Sequence, residues 1–285
     1  MNRDVTISRH HEKLIEVVIF IQNNLGEDLW IDRLAEIACL LRFHFHRIFT
    51  QYYDENVHEY IKRLRLERAA FMLQHTHTPV IEVSIQNGYK TQSAFSKAFR
   101  LHYGVSPRGY RLIGLYPQVD LDGGTLQPKI CRIPSQKVMF IREIGEYRHA
   151  AVTAWKKLMR KADEMGVDIE SEMAIGIAHD SPHITSQRHL RYDACLTVDH
   201  DISPDGEYGL QEIEGAKVAI FRHQGPYEEL GELYNRIYSE WLPNSGFQVQ
   251  QRPSFCHYHQ AKPEATPISN LLTDIYLPII EGKGW

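Results

Sequence analysis

Two groups of side chains, fifty positions apart, have the types and spacing to read the edges of base pairs. Arg42, Phe43, His46, Arg47 and Thr50 fall on one side of a helical repeat whose other side is Phe45, Ile48, Phe49 and Tyr52. Thr91, Gln92, Ser93, Lys97 and Arg100 stand in the same relation to Phe95, Ala98 and Phe99. Guanidinium, ammonium and amide groups engage the acceptors and donors that bases present in the major groove, and an aromatic ring packs on a thymine methyl. The charge distribution supports this chemistry. A net charge of −4 over 285 residues argues against a nucleic-acid partner if it is spread evenly, but it is not. Residues 1 to 115 hold 15 Lys and Arg against 12 Asp and Glu, and the remainder holds 17 against 24. Between Arg42 and Arg111 the ratio is 11 to 5, so cations are concentrated around the two candidate faces.

Apolar spacing predicts the helices that carry those faces: His11 to Asn24, Asp32 to Ala38, Arg42 to Tyr52, Asn56 to Gln74, Val80 to Asn87 and Thr91 to His102. Gly26, Gly88 and Gly104 stand where helices stop. Thr78 is the expected N-cap ahead of Pro79, and Ser106 with Pro107 starts one last turn. The pattern is helix, turn, helix, twice. The connector from Asn56 to Gln74 reaches about 28 Å at 1.5 Å per residue. Two reading helices in successive major grooves on one face of the duplex need about 34 Å. One chain can therefore span an asymmetric site as a monomer. Arg63 and Arg65, on the connector, are expected to hold phosphates or acidic neighbours.

Residues 113 to 127 are rich in Gly and Pro, lack helical periodicity and read as a linker, which sets the domains at 1–112 and 128–285. The second domain repeats itself at an offset of 80: Ile133 meets Ile213, Lys137 Lys217, Val138 Val218, Arg142 Arg222, Gly145 Gly225, Tyr147 Tyr227 and Gly166 Gly246. Each copy reads as strand, Gly-x-Tyr turn, helix, then two strands. Two such β-α-β-β units pair into one antiparallel sheet with both helices on the same face and a groove on the pseudo-twofold. Tyr147, Trp155, Tyr227, Trp241, Tyr258 and Tyr276 are the aromatics suited to line it. A cation over one such ring gains roughly 0.5 to 2 kcal/mol. Asp193 and Asp274 are matched by the repeat and can satisfy backbone groups there.

Several function classes drop out. The longest apolar runs fall far short of the roughly 20 residues that span a bilayer, and the first residues lack a secretory pattern, so a cytoplasmic protein is expected. Cys39, Cys131, Cys195 and Cys256 show no C-x-x-C spacing, against a disulfide framework or zinc knuckle. No Ser-His-Asp order, HExxH or phosphate loop points to catalysis, and no metal or cofactor is expected.

With these residues in hand, the first domain resembles the AraC/XylS transcription activators, in particular the two-unit Rob and multidrug-resistance type, over residues 11 to 112. The resemblance rests on Leu-Ala-x-x-Ala at 34 to 38, His-Phe-x-Arg-x-Phe at 44 to 49, Tyr-Ile-x-x-x-Arg-Leu at 60 to 66, Gly-Tyr at 88 and 89, Ser96 to Arg100, and Gly104 to Arg111. It implies base contacts from Phe43, His46 and Arg47 in the first unit and from Gln92, Ser93 and Lys97 in the second. The chain departs from that pattern at the first turn. The family usually has Gly there and Ser as the cap, whereas this chain has Cys39, Leu40 and Leu41, so a turn of different construction is expected.

The second domain resembles the GyrI-like effector domain, a tandem SHS2 module, over residues 128 to 281. Arg191 to Cys195, Gly225 to Tyr227, Trp241 to Gly246 and Thr273 to Ile279 carry the match. It implies a groove for small aromatic or cationic compounds, lined by aromatics around a carboxylate. Cys256 stands where Glu is frequent, which removes the counter-charge. The expected fold is α+β: an all-α double helix-turn-helix domain followed by a duplicated β-α-β-β effector domain. The expected function is a ligand-controlled transcriptional regulator, an activator rather than an enzyme, with double-stranded DNA and RNA polymerase as partners. A small-molecule hydrolase or a ligand-free protein-interaction module is the alternative for the second domain.

Overall fold

A computed structural model describes residues 3–113, 125–198, 202, 206, 208–260 and 265–282. Most of the expected linker, residues 114 to 124, lies outside them. The described chain forms two compact units, one built on the helices up to Ile113 and one on the sheet that follows. Among the described residues no helix is long and apolar enough to cross a membrane.

The helical unit contains α1 (Arg3–Asn23), α2 (Ile31–Ile37), α3 (Arg42–Tyr53), α4 (Val57–His75), α5 (Val80–Gln86), α6 (Gln92–Tyr103) and α7 (Pro107–Arg111). Helix α1 begins eight residues before the expected His11. Its Leu14, Val17, Val18 and Ile21 are fully buried in one cluster with Leu34, Phe45 and Phe49. Thr78 is not a cap: Pro79 holds the N-cap position of α5, and the Thr78 backbone N–H is taken by the hydroxyl of Thr76.

The unit is an internal duplication at an offset of 50. Phe45, Phe49, Tyr53 and Tyr60 pack edge-on and tilted, with Phe49 and Tyr60 5.3 Å apart at 81°. Phe95, Phe99, Tyr103 and Tyr110 repeat that box, with Phe99 and Tyr110 5.2 Å apart at 82°. Each box fixes a recognition helix by its apolar side, so the polar side must face out.

The first turn is not built differently from the second. Cys39 N–H donates to Glu36 O and Leu40 N–H to Ala35 O, and Gly88 and Tyr89 donate in the same way to Ile85 and Ser84. Both are Schellman closures, which require a left-handed residue. Gly88 takes φ of 73° and Cys39 takes φ of 52°. Helix α6 is capped by the Thr91 hydroxyl, which accepts from Ala94 N–H, whereas Leu41 gives α3 no side-chain cap.

Four of the arginines between positions 42 and 111 hold this unit together. Arg63 is buried between Glu55 and Glu67, as expected of an acidic neighbour's partner. Arg65 instead donates to the carbonyls of Leu25 and Glu27, at 2.9 and 2.6 Å. Arg68 donates to Asn87 Oδ1 at 2.7 Å and to the Gln86 carbonyl, and burial pulls its pKa down to about 10. Arg111 donates to Leu73 O and Thr78 O.

The second unit is a sheet with strands β1 (Lys129–Ile133), β2 (Gln136–Ile144), β3 (Ala174–Ala178), β4 (Arg191–Thr197), β5 (Gly209–Ile213), β6 (Ala216–Gln224), β7 (Phe247–Val249), β8 (Phe255–Tyr258) and β9 (Leu272–Glu281). Helix α8 (Tyr147–Met165) follows β2, burying Ala150, Ala154, Leu158 and Ala162 at four-residue intervals. The matching segment is α9 (Leu230–Arg236), a π-turn at Ile237–Trp241 and a last turn, α10 (Leu242–Asn244).

The strand order is β1-β6-β9-β8-β3-β4-β2-β5, with β7 on β9. Shifting by the repeat exchanges β1 with β5, β2 with β6, β3 with β8 and β4 with β9, so the order is symmetric about the β8–β3 junction. Each copy therefore has a leading strand beyond the expected β-α-β-β, and that strand pairs with the other copy: β1 with β6 and β5 with β2.

The face of the sheet away from the helices carries a matched pair of Arg-Asp-His clusters. Arg142 clasps Asp193 at 2.6 and 2.7 Å, with His179 Nε2 2.7 Å from Oδ2. Arg222 clasps Asp274 at 2.8 Å through both nitrogens, with His259 Nε2 2.8 Å from Oδ2. The two aspartates thus pair with cations rather than with backbone groups.

Candidate functional site

On α3 the predicted reading residues Arg42, Phe43, His46 and Arg47 are exposed, Phe43 at 91%. An aromatic ring this exposed has no packing role in its own unit. Arg47 Nη2 lies 3.1 Å from His44 Nδ1, and Arg42 is 3.5 Å from Asp32. On α6, Thr91, Gln92, Ser93, Lys97 and Arg100 are exposed. Arg47 and Lys97 occupy equivalent positions one turn after Phe43 and Ser93, so both helices offer a cation at the same point. Two predicted contacts are engaged elsewhere. The Thr50 hydroxyl donates to His46 O at 2.9 Å, and the Thr91 hydroxyl serves as the α6 cap.

In the sheet unit four of the six predicted aromatics come together on the helix face. Trp155 meets Tyr258 edge-on at 5.7 Å, Tyr227 meets Tyr258 at 5.1 Å, and Tyr147 lies 6.1 Å from Tyr192. Trp241 and Tyr276 do not join them. Trp241 packs edge-on against Phe221 and stacks on Phe247, inside the second copy. Tyr276 pairs with Phe255 and Tyr258 with Thr273, three positions apart on β9, which puts the two tyrosines on opposite faces. Tyr276 stacks on Phe255 at 4.8 Å.

Three residues that the aromatic inventory missed complete the cluster. Tyr192 lies at its centre, accepting from Trp155 Nε1 at 3.0 Å and sharing a hydrogen bond with Tyr258 at 3.1 Å. Tyr234, from α9, is 3.5 Å from the Cys256 thiol. Gly176 lies beneath: a Cβ there would come within 2.3 Å of the Tyr192 hydroxyl and 2.8 Å of Tyr258 Cε2. Tyr192 sits inside the Arg191 to Cys195 motif, so a signal for it was present in the sequence.

The electrostatics of the cluster are those of a neutral site. Burial pushes the Tyr147, Tyr192, Tyr234 and Tyr258 phenols above their ordinary range and the Cys256 thiol up to about 11. Tyr147 is fixed further by donating to Asp180 O at 2.6 Å and accepting from Asp180 N–H at 3.0 Å.

The family described as a GyrI-like small molecule binding domain matches residues 126–280, more than half of the chain. The chain belongs to the GyrI-like family. A helix-turn-helix domain of the AraC type matches residues 34–112 of this GyrI-like protein. It is 36% identical over 98 residues to the HTH-type transcriptional regulator ArgR of Pseudomonas aeruginosa, covering 34% of this chain and 30% of that one. It is 31% identical over 113 residues to the HTH-type transcriptional activator AarP of Providencia stuartii, covering 38% of this chain and 84% of AarP. It is 29% identical over 163 residues to the probable transcriptional regulator YgiV of Escherichia coli, covering 54% of this chain and 97% of YgiV. The chain thus spans less than a third of the length of ArgR but nearly all of YgiV. This GyrI-like protein has the composition of an AraC-type DNA-binding transcriptional regulator with a ligand-binding domain.

Proposed function

We propose that this chain reads an asymmetric DNA site as a single polypeptide and that a small molecule held by the aromatic cluster controls its action on transcription through RNA polymerase. The equivalence of Arg47 and Lys97, exposed on two helices fixed by matching aromatic boxes, carries the reading. Arg42, Phe43 and His46 accompany Arg47 in one half-site, and Gln92, Ser93 and Arg100 accompany Lys97 in the other. Cations tied up in the fold, such as Arg63 and Arg68, cannot reach phosphates without breaking internal bonds, so the salt dependence reflects mainly the exposed ones. The ligand is an uncharged aromatic compound rather than a cation, because the phenols, indole and thiol of the cluster supply no anion and leave a cation only ring faces to offset its desolvation. The same protonated thiol is a poor nucleophile, which favours a binding domain over a hydrolase.

A binding-site selection from random duplexes tests the first part: a site covering two helical turns is expected, and no sequence preference would sink it. Arg47→Ala and Lys97→Ala should each lose about 1 to 3 kcal/mol at its own half-site. Equal losses on every sequence would make both phosphate contacts. Thermal-shift screening with neutral aromatic compounds against lipophilic cations of matched size tests the ligand class. Stabilisation by cations alone would overturn the neutral assignment.

A further inference from the structure

We propose that His257, His259 and Asp274 form a site for one divalent first-row transition cation, on the sheet face opposite the aromatic cluster. His257, on β8, and His259, one residue past it with its N–H still donating to Leu272 O, are alternate residues that project to the same side. Asp274, on β9, is directly opposite His257 in the register. The donor atoms of all three lie within 4.8 Å of one another, and the two imidazole rings are 4.3 Å apart. A tetrahedral or octahedral ion with metal–nitrogen bonds of about 2.0 to 2.1 Å needs donors about 3 to 3.4 Å apart. His259 Nε2 already lies 2.8 Å from Asp274 Oδ2, which leaves the His257 ring as the donor that must turn. Two imidazoles and a carboxylate suit zinc, cobalt, nickel or copper rather than calcium or magnesium.

The duplication supplies the control. The first copy has His179 and Asp193 where the second has His259 and Asp274, but Ile177 where the second has His257. Asp193 is fully buried and saturated by Arg142, His179 and Gln211, so it has no coordination to offer. In the second copy the Arg222 side chain is 62% exposed, so it can leave Asp274 for water when a cation arrives. The motif is structural in one copy and open in the other.

The test uses the untagged 285-residue chain, stripped with EDTA and titrated with ZnCl2 by calorimetry and with CoCl2 by visible absorption. One saturable ion per chain is expected. His257→Ile, which installs the residue the first copy already uses on the equivalent strand, should weaken binding at least tenfold without moving the thermal midpoint of the metal-free protein. His259→Gln should do the same, and Arg222→Ala should tighten binding by removing the competitor. The proposal fails if the wild type shows no saturable binding. It also fails if both histidine variants bind as the wild type does, which would place the ion on other histidines. Loss of binding in Arg222→Ala would overturn the assignment of that guanidinium as competitor.

Discussion

In the second helix-turn-helix unit the turn is closed by Gly88 and the reading helix is capped by Thr91. In the first unit Cys39 holds a φ of 52° and Leu41 caps nothing, yet the backbone hydrogen bonds are the same. A left-handed Cys is disfavoured by roughly 1 to 2 kcal/mol, and a missing cap is worth about 1 kcal/mol. The aromatic box of the first unit must offset both. The sheet unit repeats the contrast. Its first Arg-Asp-His cluster is buried and closed by Gln211, whereas in its second Asp274 is buried but the Arg222 side chain is exposed. Packing sets the geometry in every copy, and the local chemistry that usually sets it can lapse where packing suffices.

Substitutions that act on one copy and spare the other test that contrast. The largest effect is expected at Asp193. Removing one partner of a buried ion pair costs about 3 to 5 kcal/mol, and Asp193→Asn should lower the sheet unit's stability to denaturant by that amount. The pH profile should follow. Burial alone would raise the Asp193 carboxyl, but Arg142 and His179 hold it below the ordinary carboxylate range. Its contribution is therefore complete above an unfolded pKa of about 3.9 and is lost as pH falls towards the folded one. Burial also holds His179 low, so stability should begin to fall below about pH 6.5, where the unfolded chain takes up the proton first. A profile flat from pH 7 to 4 would contradict the His179 expectation, and one flat from about pH 4 to 2 the Asp193 one.

Gly88→Ala comes next, at about 2 kcal/mol, because the added Cβ meets a positive φ and lies 2.6 Å from the Arg65 guanidinium, which is held by the carbonyls of Leu25 and Glu27. Thr91→Ala should lose about 1 kcal/mol. In the first unit the changes should run the other way: Cys39→Gly should stabilise by about 1 kcal/mol and Leu41→Ser by about half that, both read by thermal unfolding. Destabilisation by Cys39→Gly would mean that the side chain contributes packing that the turn geometry hides. The smallest effect is expected from Asp274→Asn, below about 1 kcal/mol, since its Arg222 partner is exposed.

Much of this was legible in the sequence. Helices α2 to α6 begin and end within about two residues of their expected bounds, because periodicity and glycine stops are local signals. The need for a left-handed residue at Cys39 was readable from the absent glycine, but the sequence could not show that the turn would keep its form. The duplication at 80 predicted the helices and the later strands, whereas the leading strands β1 and β5 escaped because their partners lie in the other copy. Tyr276 was misplaced for a related reason: which face a strand residue takes depends on register, and register is set by distant pairing. The same distance hid the His257, His259 and Asp274 constellation, whose third member is fifteen positions from the second. The bonds of Arg65 and Arg68 to carbonyls leave no trace in composition at all.

The exchange of leading strands sets an order of assembly. Lys129 on β1 pairs with Ile220 on β6, a partner that the ribosome adds 91 residues later. At about 5 to 20 residues per second, β1 waits roughly 5 to 20 s for its neighbour. The core cluster of the helical unit is drawn from residues 14 to 64, in many local contacts, and such topologies fold fast. During synthesis the helical core is therefore complete before β1 meets its partner.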